Sequence, residues 1–164
     1  MFSVGEKIVY PVHGAGVIES IEDREILGEN RSYYVLRIAS GDLQVLVPVD
    51  TAEKVGMRPV SDRSRLDEAR AVLSGPPSPW EDNWNRRYRL NMDKIKSGDI
   101  CELAEVVRNL TLRDHDRGLS AGEKKMLDNA RRILLSEMVL ADGVTAEEAA
   151  ARLNSLFAAR LSED

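Results

Sequence analysis

The sequence predicts an α+β protein in which a β-rich part, residues 1–60, precedes an all-α part, residues 61–164. The first observation is a change in hydrophobic period near residue 61, from the alternation of strands to the three- and four-residue spacing of helices. The second is the punctuation, since glycine-bearing turns divide the first part and "PPSP" at 76–79 interrupts the second. A chain of 164 residues is long enough for two small domains.

The β-rich part is predicted to contain five short strands. Strands are expected at 6–12, 16–26, 32–38, 43–49 and 56–60, with turns at "HGAG" (13–16), "LGENR" (27–31) and "ASGD" (39–42). Short strands joined by brief polar turns favour a small barrel or a strongly bent sheet, SH3-like or Tudor-like. A unit of about 60 residues buries little core, which is typical of a binding module.

The all-α part is predicted to be a bundle of about five helices. Helical periodicity covers 61–75, 82–96, 100–116, 121–141 and 142–160. Ser120 with Glu123, and Thr145 with Glu148, have the spacing of capping boxes and therefore predict the starts of the fourth and fifth helices.

The charge distribution restricts the class of partner. A net charge of −5 argues against general nucleic-acid coating, which depends on phosphate neutralisation. The cations are nevertheless clustered, with five Lys/Arg in residues 84–99 and five in 117–132, which indicates a limited footprint on an anion. No apolar run reaches the length of about 18 residues that a membrane span needs, and the N-terminus lacks a secretory signal. We therefore expect a cytoplasmic protein without a membrane partner.

Catalytic chemistry is not indicated. His13 and His115 lie in different halves, without the second histidine or cysteine that a metal set needs. "HGAG" is not followed by a GxGxxG or Walker motif, and Cys101, the one cysteine, has the character of a structural residue. We expect no enzyme activity, no cofactor and no metal.

Trp84, in "NWNRRYR" at 83–89, has two readings. On a helical wheel it begins a stripe with Tyr88, Asn91 and Ile95, as a core residue would. It also lies in a first helical turn beside three arginines, where backbone N–H groups point outward and an aromatic wedge could hold distorted DNA. The residues alone leave both readings open.

Six ordered segments carry a family resemblance. They are "F.VGEKIVYPVHGAGVIESIE", "YYVLRIASGDLQVLVPV", "VGMRPV", "NWNRRYR", "AEVVRNL" and "RGLSAGEKKML.NAR.IL". Over essentially its whole length the chain resembles the CarD/CdnL family of bacterial transcription regulators. The first segment alone is less decisive, because a related polymerase-binding module also occurs in the transcription-repair coupling factor. The helical half and the absence of a Walker motif distinguish this chain from that ATPase.

The resemblance implies a regulator that binds the RNA polymerase β subunit through its N-terminal domain and promoter DNA through its helical domain. DNA contact is expected in the minor groove at the upstream edge of the transcription bubble, with stabilisation of the open promoter complex. The wedge is assigned to Trp84, and phosphate or basic-site contacts to Arg86, Arg87, Arg89, Lys124 and Lys125. The protein is expected to be a monomer that reaches the nucleoid through polymerase.

For polymerase, the resemblance assigns contacts to Arg24, Ile26 and Leu46. Some family members carry an arginine at the position of Leu46, so the contact here is expected to be more apolar or differently centred. An exposed strand edge could pair with a polymerase strand, with the choice of edge left open. Trp80 is expected to pack the linker against the bundle. The alternative function is an adaptor whose helical half only spaces or dimerises.

Overall fold

The computed structural model describes residues 1–39 and 43–161. Its first half is an antiparallel sheet of β1 (Lys7–Tyr10), β2 (Gly14–Ile26), β3 (Glu29–Ile38), β4 (Gln44–Pro48) and β5 (Arg58–Pro59) in the order β4-β3-β2-β1-β5. Four consecutive strands form a meander and the fifth returns beside the first, as in small Tudor-like barrels. The predicted α+β class and the five strands are confirmed.

The sheet encloses its own small core on one face. Ile8, Ile18, Tyr34, Leu36 and Val47 form most of this cluster and are each at most 1% exposed. Between Ile18 and Ser20 the register of β2 against β3 shifts by one residue. Such a bulge increases local twist and lets a short sheet curl around its core.

Two predicted turns are placed differently. "HGAG" is not the turn after β1, because Gly14 and Gly16 already belong to β2 and the turn occupies 11–13. Gly16 is needed for close approach instead, since a Cβ there would overlap the backbone carbonyl of Arg37. The turn predicted at 27–31 contains only Leu27 and Gly28 between the strands. The turn predicted at 39–42 lies mostly outside the described residues.

Five helices follow, as predicted: α1 (Arg63–Ser74), α2 (Trp84–Lys96), α3 (Ile100–Asp116), α4 (Ala121–Asp142) and α5 (Ala146–Leu161). Helix α2 begins two residues later than predicted, because the Asn83 side chain accepts a hydrogen bond from Arg86 N and caps it. The other N-termini are capped by Asp62, Asp99, Ser120 and Thr145.

The helices share one apolar core. α3 and α4 contribute most of it, including Val106, Val107, Leu110 and Leu134, and α5 adds Phe157. No helix in the described residues is long and apolar enough to span a membrane.

Sheet and bundle are joined directly through α4. Glu137, 1% exposed, accepts two hydrogen bonds from Arg58 at 2.9 and 2.8 Å and a third from Ser61 N at 2.7 Å. On the preceding residue of α4, the buried Ser136 Oγ accepts from Ala15 N at 2.8 Å. These bonds anchor both β5 and β2 to the same helix, which fixes the sheet relative to the bundle.

Candidate nucleic-acid interface and polymerase-binding face

Trp84 is displayed at the surface, on a rigid support. Its side chain is 42% exposed, in contrast to Asn91 and Ile95, which are buried further along the same stripe of α2. One face of the indole stacks on Tyr88 with 5.1 Å between ring centroids. The indole Nε1 donates to Ser120 Oγ at 3.0 Å. Trp84 therefore continues the core stripe in sequence but lies beyond the end of the core in space.

The contact with Ser120 brings the two basic segments together. Ser120 is the N-cap of α4, and a Cβ at Gly122 would lie 3.5 Å from the Trp84 ring. The N-termini of α2 and α4 thus meet at the indole. Because the first N–H groups of each helix lack intrahelical acceptors, both ends favour anions.

Next to the contact between Trp84 and Ser120, Arg87 and Glu123 form a buried ion pair. Arg87 Nε and Nη2 donate to the Glu123 carboxylate at 2.8 and 3.0 Å, and the two side chains are 11% and 3% exposed. The Arg87 guanidinium holds the pKa of Glu123 below its usual range, assisted by the Ser120 hydroxyl. The third nitrogen, Arg87 Nη1, donates to Glu81 O at 2.8 Å. The phosphate contact predicted for Arg87 is therefore at odds with this arrangement, because its donors are turned inward.

Trp80 completes the support. The guanidinium carbons of Arg87 and Arg113 each lie 4.2 Å from the centroid of the Trp80 ring. The indole is partly buried against the helical core, which confirms that Trp80 packs the linker onto the bundle. The cation–π contact with Trp80 helps to hold Arg87 in place for Glu123.

The other four predicted basic contacts are exposed. They are Arg86 and Arg89 on α2 and Lys124 and Lys125 on α4. Among the described residues only Arg86 has an acidic neighbour, Glu81 at 3.7 Å. Arg86 and Arg89 share the solvent side of α2, three residues apart, whereas Trp84 covers the core side of its N-terminal end. We call Trp84 with these four cations the tryptophan surface.

The residues predicted to contact polymerase share one face of the sheet. In the register, Ser20 pairs with Val35 and Val35 with Leu46, so these three lie on one face. Arg24 and Ile26 follow Ser20 at even spacing and lie on that face too. It is opposite to the core cluster. We call Arg24, Ile26 and Leu46 the hairpin face.

Arg24 is already oriented by a neighbour on its own strand. Its Nε and Nη2 donate to Glu22 Oε2 at 3.0 and 2.7 Å, and this contact lowers the pKa of Glu22. Ile26 is 39% exposed, and Leu46 is half-buried on β4, the outermost strand of the sheet on that side. The face thus combines one cation with two apolar side chains.

Within residues 1–39 and 43–161 no group of three or more His, Cys, Asp or Glu side chains could hold a metal ion. Burial raises the pKa of the Cys101 thiol, which disfavours a thiolate nucleophile.

Sequence reasoning missed the parts of the support that come from distant segments. Ser120 and Glu123 are readable from the sequence as a helix cap, and Ser120 Oγ does accept from Glu123 N at 3.2 Å. Their second role, holding Trp84 and Arg87, joins residues 36 positions apart. Only the excess of arginine and aromatic residues near 80–89 could have suggested such a pairing.

Known proteins place the chain in a class. Residues 2–61 match the family described as "CarD-like/TRCF RID domain", and residues 68–154 match "CarD, C-terminal domain". The chain therefore joins an RNA-polymerase interaction domain of this type to a CarD C-terminal domain, and this combination defines a transcription factor.

The chain belongs to the CarD-like family of transcription factors. It is 42% identical over 148 residues to a Bacillus subtilis (strain 168) protein, "Putative transcription factor YdeB", with 90% of this chain and 97% of that protein covered. The resemblance identified from the six sequence segments is confirmed.

Proposed function

We propose that this chain is a non-enzymatic regulator that binds the RNA polymerase β subunit through the hairpin face and promoter DNA through the tryptophan surface, and thereby stabilises the open promoter complex. The observation that carries the proposal is the exposed Trp84 indole, fixed by Ser120 and Tyr88 where two helix N-termini meet. An exposed aromatic side chain fixed where two helix N-termini meet, on helices that also carry exposed cations, suits an unstacked base step flanked by phosphates.

The mechanism is differential binding. A ligand shifts an equilibrium only by its difference in affinity for the two states. If the indole inserts only where the duplex is distorted at the bubble edge, the chain binds the open complex more tightly than the closed one. An advantage of about 1.4 kcal/mol raises the open-complex equilibrium constant about tenfold. Tethering through polymerase raises the effective DNA concentration, which allows an acidic protein to use a small basic surface.

The test is the lifetime of competitor-challenged promoter complexes with wild-type chain, Trp84→Ala and Leu90→Ala, using polymerase from the same source. Leu90 is the matched control because it lies on the same helix and is also 42% exposed. We expect the wild-type chain and Leu90→Ala to prolong the lifetime and Trp84→Ala not to. Circular dichroism and binding to holoenzyme should be unchanged in both variants.

Other outcomes contradict the proposal. If Trp84→Ala melts the helical half, the indole is a structural residue and the wedge assignment fails. If the wild-type chain binds polymerase without changing the lifetime, the adaptor function is the better account.

The cations are tested separately through salt dependence. The binding constant K for promoter DNA falls as the salt concentration rises. Removing one phosphate contact should make the negative slope of log K against log salt less steep by about 0.9. Lys124→Gln is compared with Lys54→Gln, which changes an exposed lysine in the N-terminal domain. Equal slopes for the two variants would remove Lys124 from the DNA-binding surface.

A further inference from the structure

The loop between β2 and β3 holds Leu27 in a backbone conformation that is unfavourable for leucine. Ile26 pairs with Glu29, so Leu27 and Gly28 form a two-residue hairpin loop, with φ of 54° and 82°. Positive φ at both positions is the pattern of a type I′ turn, which prefers Asn-Gly. Leucine is disfavoured at the first position because its Cβ approaches the following carbonyl oxygen.

The side chain of Leu27 also gains nothing by burial. It is 100% exposed, and Ile26 beside it is 39% exposed. The hairpin extends past its neighbours, since β4 pairs only with residues 33–37 of β3 and β1 only with residues 14–17 of β2. No described residue packs over the tip. Leu27 is thus unfavourable in both backbone conformation and solvation, and departures from local rules of this kind are concentrated at functional positions.

We propose that Leu27 is an apolar anchor that enters an apolar depression on RNA polymerase. This inference rests on the proposed function, because the tip directly continues the hairpin face at Ile26. A type I′ loop is short and rigid, so an anchor on it loses little conformational freedom on binding. A second copy of the chain is a poorer occupant, because one hairpin tip supplies far less than the roughly 800 Å² per partner of a stable interface.

The experiment measures binding of the full chain to RNA polymerase holoenzyme, together with the thermal midpoint, for Leu27→Asn and Leu27→Met. Asparagine fits positive φ but is polar, whereas methionine keeps the apolar volume. We expect Leu27→Asn to weaken binding at least about tenfold, equivalent to about 1.4 kcal/mol. Its thermal midpoint should stay equal or rise, and Leu27→Met should bind like wild type. A variant that is more stable yet binds less tightly is not expected of a merely structural residue.

Unchanged binding by Leu27→Asn overturns the anchor. Arg24→Ala then distinguishes failure of the anchor from failure of the proposed function. If Arg24→Ala weakens binding while Leu27→Asn does not, the proposed function stands and the anchor fails. If the wild-type chain does not bind holoenzyme, both fail. If Leu27→Asn binds polymerase like wild type but sediments differently from it, the tip contacts a second copy of the chain, and this also overturns the inference. Should Leu27→Asn fold poorly, Leu27→Gly replaces it, with wild-type binding again the overturning result.

Discussion

Replacing Arg87 by methionine distinguishes a structural role from direct DNA contact. Arg87 and Glu123 are 11% and 3% exposed and form two hydrogen bonds with each other at 2.8 and 3.0 Å. Removing the cation leaves a buried carboxylate without its charged partner, and breaking a buried pair in this way costs about 3–5 kcal/mol. At about 2–4 °C per kcal/mol for a chain of this size, the thermal midpoint should fall by about 6–20 °C.

Arg86→Met is the matched control. Arg86 is one residue away but 63% exposed, and its contact with Glu81 is 3.7 Å long. Exposed pairs contribute about 0–1 kcal/mol, so its thermal midpoint should change little. The double variant Arg87→Met/Glu123→Met should recover much of the loss, because apolar replacement of a whole buried pair is close to neutral.

The effect should also depend on pH. The pKa of Glu123 is lowered in the folded protein, chiefly by the hydrogen bond from Arg87. The pair therefore contributes its full stability above the ordinary glutamate pKa of about 4.3 and loses it as the pH falls through the lower folded-state value. The difference in midpoint between wild type and Arg87→Met, measured by calorimetry, should shrink below that pH. An Arg87→Met midpoint equal to that of Arg86→Met, with open-complex lifetime lost, would refute this reasoning and restore Arg87 as a phosphate contact.

Two further predictions concern the framework. Glu137→Ala should lower the free energy of unfolding by about 3 kcal/mol. This is the lower end for a broken buried pair, because Arg58 keeps some access to water. The substitution should also uncouple the sheet from the bundle. Urea unfolding followed by tryptophan fluorescence and by hydrogen exchange in the sheet should then give separate transitions; one coincident transition at the wild-type midpoint would contradict it. Gly16→Ala should destabilise by at least about 2 kcal/mol, because its Cβ must displace the Arg37 backbone. An unchanged thermal midpoint would show that β2 and β3 separate easily.

Local patterns predicted the helices well because their signals are local. The predicted 100–116 agrees with α3 at both ends, since Asp99 caps the start and the apolar face runs unbroken to Leu110. The HGAG turn was misplaced for a non-local reason. Glycine is read as a turn residue, but Gly16 is required by a strand that approaches from 21 positions away.

The site divides in the same way. The even spacing of Arg24 and Ile26 is readable as one strand face, whereas adding Leu46 to that face requires the register of three strands. Arg86 is exposed and Arg87 is largely buried, although both belong to one basic run of the sequence. That difference depends on Glu123, whose distance from Arg87 only the folded chain defines.

The hydrogen bonds that anchor two strands to α4 through Glu137 and Ser136 also set the distance between the two candidate binding surfaces. Because these hydrogen bonds join the sheet directly to α4, they define a span and a direction from the hairpin face to Trp84. DNA advances about 3.4 Å per base pair and completes a turn in about 10 base pairs. Under the proposed function, moving the bubble edge by one base pair therefore changes both the distance and the rotation of the minor groove relative to Trp84, whose position is set by the bound polymerase. Promoter selectivity can then arise from geometry alone, without reading any base.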